Sequence, residues 1–221
     1  MLPRSLQKVA LFLILLAGTP AMAVEEPRYE VIESQRDFEL RRYEPMLIAE
    51  TQVSGDRDEA SRAGFRLLAD FIFGNNQVAG QDGSAKIAMT APVTQEAASS
   101  KIAMTAPVTV EPQTGGAGLW RIHFVMPGQY TLATIPKPRN PAVQLRELPR
   151  QWYAVHRFSG FATDSRVETK TREALDWIEQ KKLKAIGSPQ LARYDPPWTL
   201  PMFRRNEILI PVAPPEAKGA Q

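Results

Sequence analysis

Two stretches of helical periodicity, each set among runs of strand-like alternation, constrain this chain more than any other feature. The first covers 56–73. Asp56 or Ser54 can cap its start, Asp58 and Glu59 suit the positive end of a helix dipole, and Gly74 with Asn75-Asn76 suits a left-handed exit. The second opens on Ser165-Arg166-Val167-Glu168, a capping-box pattern, and runs to about Leu183 with Gly187 beyond it. Ahead of the first helix, 29–34 and 38–53 read as extended, with a break at Glu44-Pro45 where the missing backbone donor marks an edge or a bend. After it come strand-like segments at 86–94, 101–110 and 119–126. A proline-rich crossing at 135–141 leads to extended runs at 143–147 and 152–161, then the second helix, then 191–194 and 207–212. Strands, helix, strands, and the same again: this order predicts a duplicated α+β arrangement rather than βαβ winding.

The chain carries one literal repeat. Lys86-Ile87-Ala88-Met89-Thr90-Ala91-Pro92-Val93-Thr94 recurs unchanged at 101–109. Two nine-residue copies are too few for a solenoid. They are expected to form a hairpin, or to place one copy in the sheet while the other loops out, with weakly specified register.

The first 23 residues read as a signal peptide. Arg4 and Lys8 give a basic start, Val9 to Ala17 is an unbroken apolar run of nine, and Ala21-Met22-Ala23 is a small-residue cleavage pattern. A spanning helix needs about 20 apolar residues, so nine do not make one. The reading is therefore a leader at 1–23, one globular domain at 24–213 and a disordered tail at 214–221. It predicts a periplasmic or secreted protein with no stable membrane insertion after cleavage. Removing Arg4 and Lys8 leaves 25 basic against 24 acidic residues, a formal +1, with no dense basic stripe. Nucleic acid is therefore not the expected partner. Cysteine is absent, which excludes disulfides, thiolate metal sites, a cysteine nucleophile and covalent c-type haem attachment.

Few residues offer chemistry. The two histidines, His123 and His156, each sit in a strand-like run, and no His-x-x-x-His or carboxylate cluster suggests a metal site. A glycine-rich phosphate loop and a Gly-x-Ser-x-Gly elbow are both missing. Catalysis is not expected. The first helix is more informative. Ala60, Gly64, Leu67, Leu68 and Phe71 gather on one face as a core stripe, while Phe65, Ala69, Ile72 and Phe73 fall largely away from it, around Arg62 and Arg66. An apolar outer face rimmed by arginines is what a flat hydrophobe carrying carboxylates needs. A covering loop or a second protomer is the alternative. Met89 and Met104, on the repeat, have a thioether that can ligate haem iron, although packing is the commoner role.

Several of these residues also carry a resemblance. Tyr29-Glu30-Val31-Ile32, Phe38-Glu39-Leu40-Arg41-Arg42-Tyr43, the Lys-Ile-Ala-Met-Thr-Ala-Pro-Val segments, Phe124-Val125-Met126-Pro127 and Tyr194-Asp195-Pro196-Pro197 through Arg205-Asn206-Glu207 resemble the SOUL haem-binding protein family over 27–212. The resemblance implies a distorted antiparallel β-barrel built from two βαββ-like halves with two external helices. It also implies non-covalent binding of haem or another porphyrin, in a groove along the first helix. Arg62 falls where some members carry a propionate-facing arginine, and Phe65 and Ala69 where they carry apolar groove residues. Ile72, Phe73 and Arg42 complete the candidate set. Arg42 stands where some relatives have a histidine proposed as an axial ligand, so the resemblance leaves the axial ligand of this chain unknown. Asp70 replaces another basic position, and 198–203 lacks a lysine found in some relatives.

The expected function is thus a haem or porphyrin carrier or buffer outside the cytoplasm. A protein-interaction module of the envelope, using the same helix face, is the second reading. A small-molecule hydrolase, by likeness to GyrI-like effector-binding domains, is a third, and it would require Glu39, Glu50 or Glu207 in a pocket with a raised pKa.

Overall fold

A computed structural model describes residues 24–78, 80, 83–97 and 118–215. The expected leader at 1–23, the second repeat copy at 101–109 and the end of the tail lie outside the described residues. In chain order the elements are β1 (Tyr29–Gln35), β2 (Phe38–Tyr43), β3 (Met46–Gly55), α1 (Arg57–Ile72), β4 (Asn76–Gln77), β5 (Val93–Ala97), β6 (Gly118–Val125) and β7 (Lys137–Pro138). Then follow β8 (Gln144–Leu148), β9 (Gln151–Ser159), α2 (Asp164–Gln180), β10 (Gln190–Arg193), a 3₁₀ turn (Pro201–Phe203) and β11 (Arg205–Val212). β4 and β7 form a small separate pair.

The other nine strands make one antiparallel sheet in the order β1-β2-β9-β11-β10-β5-β6-β3-β8. Two βαββ units are visible in that order: β3-α1-β5-β6 and β9-α2-β10-β11. In each, the first strand pairs with the last, and the two units meet where β5 pairs β10. Each unit also receives a strand from outside it. β2 leads into β3 yet pairs with β9, while β8 leads into β9 yet pairs with β3. Glu44-Pro45 is the bend that allows β2 and β3 to part.

The expected closure into a barrel is not what this ladder forms. β1 and β8 are its two ends and do not pair with each other. Both carry features that discourage further pairing: β1 has a register shift between Val31 and Glu33, and β8 is five residues long and bears Arg146 and Glu147.

Both helices cover the same face of the sheet. Leu191 packs in the cluster beneath α2, its register partner Gln95 lies on the same face as Val93, and Val93 packs against the cluster beneath α1. The α1 cluster is built from Ala60, Leu68, Phe71, Ile122 and Phe124, with Ile87 added from the loop; the α2 cluster includes Ala174, Trp177, Ile178, Ile208 and Ile210. On the reverse face a smaller, tyrosine-rich cluster gathers Tyr43, Tyr153, Val155, Ala192 and Leu209.

Local chemistry sets the helix ends. The Glu59 N–H donates to Asp56 Oδ1 at 2.8 Å, the expected cap. α2 starts one residue before the expected capping box: Thr163 is its cap residue, without a side-chain cap bond, and Ser165 sits in the first turn. Where a strand was expected over 86–94, only Val93 and Thr94 enter β5; the preceding residues fold back over the end of α1. Among the described residues no helix is long and apolar enough to cross a membrane.

Candidate functional site

α1 packs on β3 and β6 through the expected stripe, with Ala60, Gly64, Leu68 and Phe71 buried. Its outer surface carries Arg62, Phe65, Arg66, Ala69 and Phe73 at helical spacing, a single line along the helix. Phe65 is 38 % and Phe73 58 % exposed. The Phe65 ring meets Phe124 edge-on, centroids 5.4 Å apart, so one edge is anchored in the core while the rest faces out. Arg62 and Arg66 are exposed and have no hydrogen bond or ion pair among the described residues.

The open surface is narrower than the periodicity predicts. Ile72 is 1 % exposed and belongs to the core cluster, so it does not share the outer line; Ala69 is 8 % exposed. The cause is the loop that follows. Asn76, fully buried, donates through Nδ2 to Phe71 O (2.8 Å) and Ala85 O (2.7 Å), and its Oδ1 accepts from Ala85 N (2.9 Å). This clamp turns the chain back, and the Ile87 N–H donates to Ile72 O at 2.8 Å while the Ile87 side chain packs in the same cluster. Asn75-Asn76 reads in the sequence as a helix exit only; that the second asparagine is a clamp is set by which carbonyls the fold brings near it. Asp70, exposed beside this line, accepts from Asn75 Nδ2 at 2.6 Å.

Arg42 is not part of the outer line. It lies on β2 in the other half, on the same face as Leu40, ion-paired to Glu30 at 2.6 Å and 5.8 Å from the Trp152 ring. The structure thus aligns Arg62, Phe65, Ala69 and Phe73, with Arg66 added, and separates Ile72 and Arg42 from them.

Neither histidine faces this line. His123 sits on the reverse face of β6, 6 % exposed, and burial lowers its pKa to about 4, against an opposing pull from Glu50. His156 lies under α2, stacked on Phe38 at 4.1 Å with Nδ1 3.2 Å from Lys170 O, and burial lowers its pKa too. Met89 is 40 % exposed on the loop that Ile87 ties to the end of α1. Among the described residues no group of three His, Cys, Asp or Glu side chains could hold a metal ion.

The carboxylates considered for hydrolysis are engaged in ion pairs. Burial alone would raise the Glu207 pKa, but the hydrogen bonds from Arg41 and Tyr194, with Arg205 alongside, bring it below the usual value. Glu39 pairs with Arg41 at 2.6 Å, and Glu50 with Arg146 at 2.7 Å.

One exposed apolar surface was not foreseen. Trp198 (83 % exposed), Leu200, Met202 and Phe203 project from the loop around the 3₁₀ turn, near Phe161, whose ring lies 5.2 Å from the Arg204 guanidinium. Its signal is Pro196-Pro197-Trp198-Thr199-Leu200-Pro201-Met202-Phe203, an apolar run with too many prolines for a strand.

Among solved structures, the fold is similar to the EcmrR C-terminal domain, with a TM-score of 0.55, 12 % identity, and coverage of 84 % of this chain and 98 % of that one. It is also similar to an uncharacterized conserved protein from Listeria innocua (TM-score 0.55, 13 % identity, 81 % and 93 % covered). A hydrolase from Listeria innocua matches at a TM-score of 0.51 with 14 % identity over 82 % and 94 %. At such identities the likeness is one of fold alone. No curated protein matches the sequence. The family described as SOUL heme-binding protein matches residues 24–211, nearly the whole described chain, and the protein belongs to that family.

Proposed function

We propose that this protein is an exported, non-catalytic carrier or buffer that binds haem or a related porphyrin without a covalent bond, along the outer line of α1. Family membership supports the ligand class. The observation that carries the site is the pairing of two exposed aromatic rings, Phe65 and Phe73, with two arginines that have no partner among the described residues. A porphyrin presents a flat apolar face and two carboxylates at one edge. Phe65 and Phe73 offer exposed apolar contact at the two ends of this line, with Ala69 buried between them. Arg62 and Arg66 offer guanidinium forks to the propionates. Bound there, the group would supply its iron and its ring for storage or transfer. No histidine lies on this line, and Met89 is the nearest candidate by chain path. Export is supported by the composition of 1–23.

The site is tested by haemin-induced perturbation of assigned backbone amides. Changes centred on Phe65, Ala69 and Phe73 support it. Changes centred on β2 around Arg42, with α1 silent, would refute it.

The second reading, a protein-interaction module of the envelope, is favoured by a separate observation: the exposed Trp198, Leu200, Met202 and Phe203 loop. Sedimentation and partner capture with Phe65 and Phe73 replaced, set beside Trp198 and Phe203 replaced, would tell which surface such a partner uses.

A further inference from the structure

We propose that the loop between β10 and β11 is a reversible docking surface for an anionic phospholipid bilayer, separate from the outer line of α1. Trp198, Phe203 and Met202 are 83, 70 and 66 % exposed, the three most exposed large apolar side chains among the described residues, and all three lie on this one loop. Leu200 belongs to the same surface, and Phe161 is brought to it by the Gly160 N–H, which donates to Pro201 O at 2.8 Å. Tryptophan, phenylalanine and leucine are the side chains that settle at the boundary between lipid headgroups and acyl chains. Such contact is peripheral, since among the described residues no helix is long and apolar enough to cross a membrane.

The carbonyls of the loop are met from within the protein. Pro196, Pro197 and Pro201 have no N–H to satisfy. The Thr199 N–H donates to Pro196 O at 3.0 Å and the Phe203 N–H to Leu200 O at 2.9 Å. Arg204 Nε donates to Thr199 O at 2.8 Å, and its Nη2 donates to Pro197 O. Pro201 O accepts a second bond, from the Arg204 N–H at 3.1 Å. These bonds hold the loop in shape while its large apolar side chains form the exposed surface. An unpaired backbone group is costly wherever water is excluded by hydrocarbon. A loop that meets its own carbonyls can therefore enter the edge of a bilayer. A protein partner needs no such provision, because it can bond to exposed main-chain groups itself.

Charge selects the headgroup. The acidic residue of the loop, Asp195, is half-buried and accepts from the Arg205 N–H. Arg204 lies 5.2 Å from the Phe161 ring and has no carboxylate partner among the described residues. Arg166 is exposed and equally without one; it lies 5.8 Å from the Phe158 ring, and a Cβ at Gly160 would stand 3.0 Å from its Nη1. The apolar tip thus has a positive rim, suited to lipid phosphates and attracted by an anionic surface. Docking through this loop does not depend on haem binding along α1, and the failure of either leaves the other standing.

The test is co-sedimentation with vesicles of phosphatidylethanolamine containing about a quarter phosphatidylglycerol. It uses the chain from residue 24 onward, which carries every described element, so that the apolar run at 9–17 contributes nothing. Saturable binding is expected, with a blue shift of tryptophan emission that disappears in Trp198→Phe, because Trp120, Trp152 and Trp177 are half-buried or buried. Trp198→Ser with Phe203→Ser, at two exposed positions, should bind at least about tenfold more weakly. Arg166→Gln should weaken binding by about fivefold. The proposal is overturned by no saturable binding, by equal binding of the folded double variant or of Arg166→Gln, or by equal binding to vesicles of phosphatidylcholine alone, a comparison that needs no variant. It is also overturned if the protein ignores vesicles while forming a dimer, or capturing a protein partner, in a way the double variant abolishes; either result assigns the loop to a protein contact.

Discussion

Arg41 meets Glu207 across the β2–β9–β11 ladder in a two-pronged ion pair, Nη1 to Oε2 at 2.8 Å and Nη2 to Oε1 at 3.0 Å, with both side chains fully buried. Tyr194 Oη donates to the same carboxylate at 2.6 Å and Arg205 Nε at 2.9 Å, and Arg41 Nη1 also donates to Tyr43 Oη at 3.0 Å. This network ties the first strands of the chain to the last on the face away from the helices. Glu207→Gln leaves the Arg41 charge buried with only Glu39 to oppose it. It should cost about 3–5 kcal/mol in denaturant unfolding, and the apolar double replacement Arg41→Met with Glu207→Leu should recover most of that. A loss below about 1 kcal/mol for the single variant would mean the pair is not buried in solution.

Stability should fall as pH drops from about 6.5 towards 4. The His123 pKa is lowered from 6.5 to about 4, first by burial and then by Arg146 and Arg121, against the opposing pull of Glu50. Between those values the unfolded chain binds a proton that the folded chain refuses, so acid favours unfolding. The span corresponds to about 3 kcal/mol, and His156, lowered by burial, adds in the same sense. Glu207, lowered from 4.5, extends the loss below that pH as it protonates. His123→Gln should flatten the upper part of the profile in thermal melts at pH 7, 6, 5 and 4; an unchanged slope would refute the assignment.

Asn76→Ala should release the loop that narrows the outer surface of α1. Three hydrogen bonds disappear: the Ala85 N–H and carbonyl lose the Asn76 amide, and the Phe71 carbonyl keeps the long contact from the Gly74 N–H at 3.4 Å, at a cost of about 2 kcal/mol. Amide exchange at Ala85 and Ile87 should accelerate ahead of exchange in β6. Uniform acceleration across the domain would contradict a local clamp.

Gly64 lies against β6 with no room for a side chain: a Cβ there would stand 2.9 Å from three atoms of Ile122. Alanine normally favours a helix interior over glycine by about 1 kcal/mol, but here overpacking should reverse the sign and destabilise by about 1–3 kcal/mol. Gly64→Ala with Ile122→Val should restore part of the loss.

Much of this architecture was legible because its elements are local. Asp56 caps α1 as its position suggests, and the strand–helix–strand order appears twice in the chain and twice in the sheet. What was not legible depends on partners distant in sequence. The exchange of β2 and β8 between the halves, the burial of Ile72 beneath Ile87 and the placing of Arg42 near Trp152 are fixed by which segments meet, and periodicity does not record that. Ser165-Arg166-Val167-Glu168 fits a capping box, yet the cap residue is Thr163, two residues earlier, so Ser165 lies inside the turn it was expected to cap. The Arg57–Gln95 contact, 38 residues apart in the chain, left no trace in either local pattern.

The most direct test of the account is a Soret-band titration of haemin into the purified protein beside the Arg62→Glu, Arg66→Glu double variant. The account predicts a saturable spectral change at one equivalent, weakened at least about tenfold when two attractive contacts become repulsive. No saturable change in the parent protein, or equal affinity in the double variant with its fold intact, would contradict it.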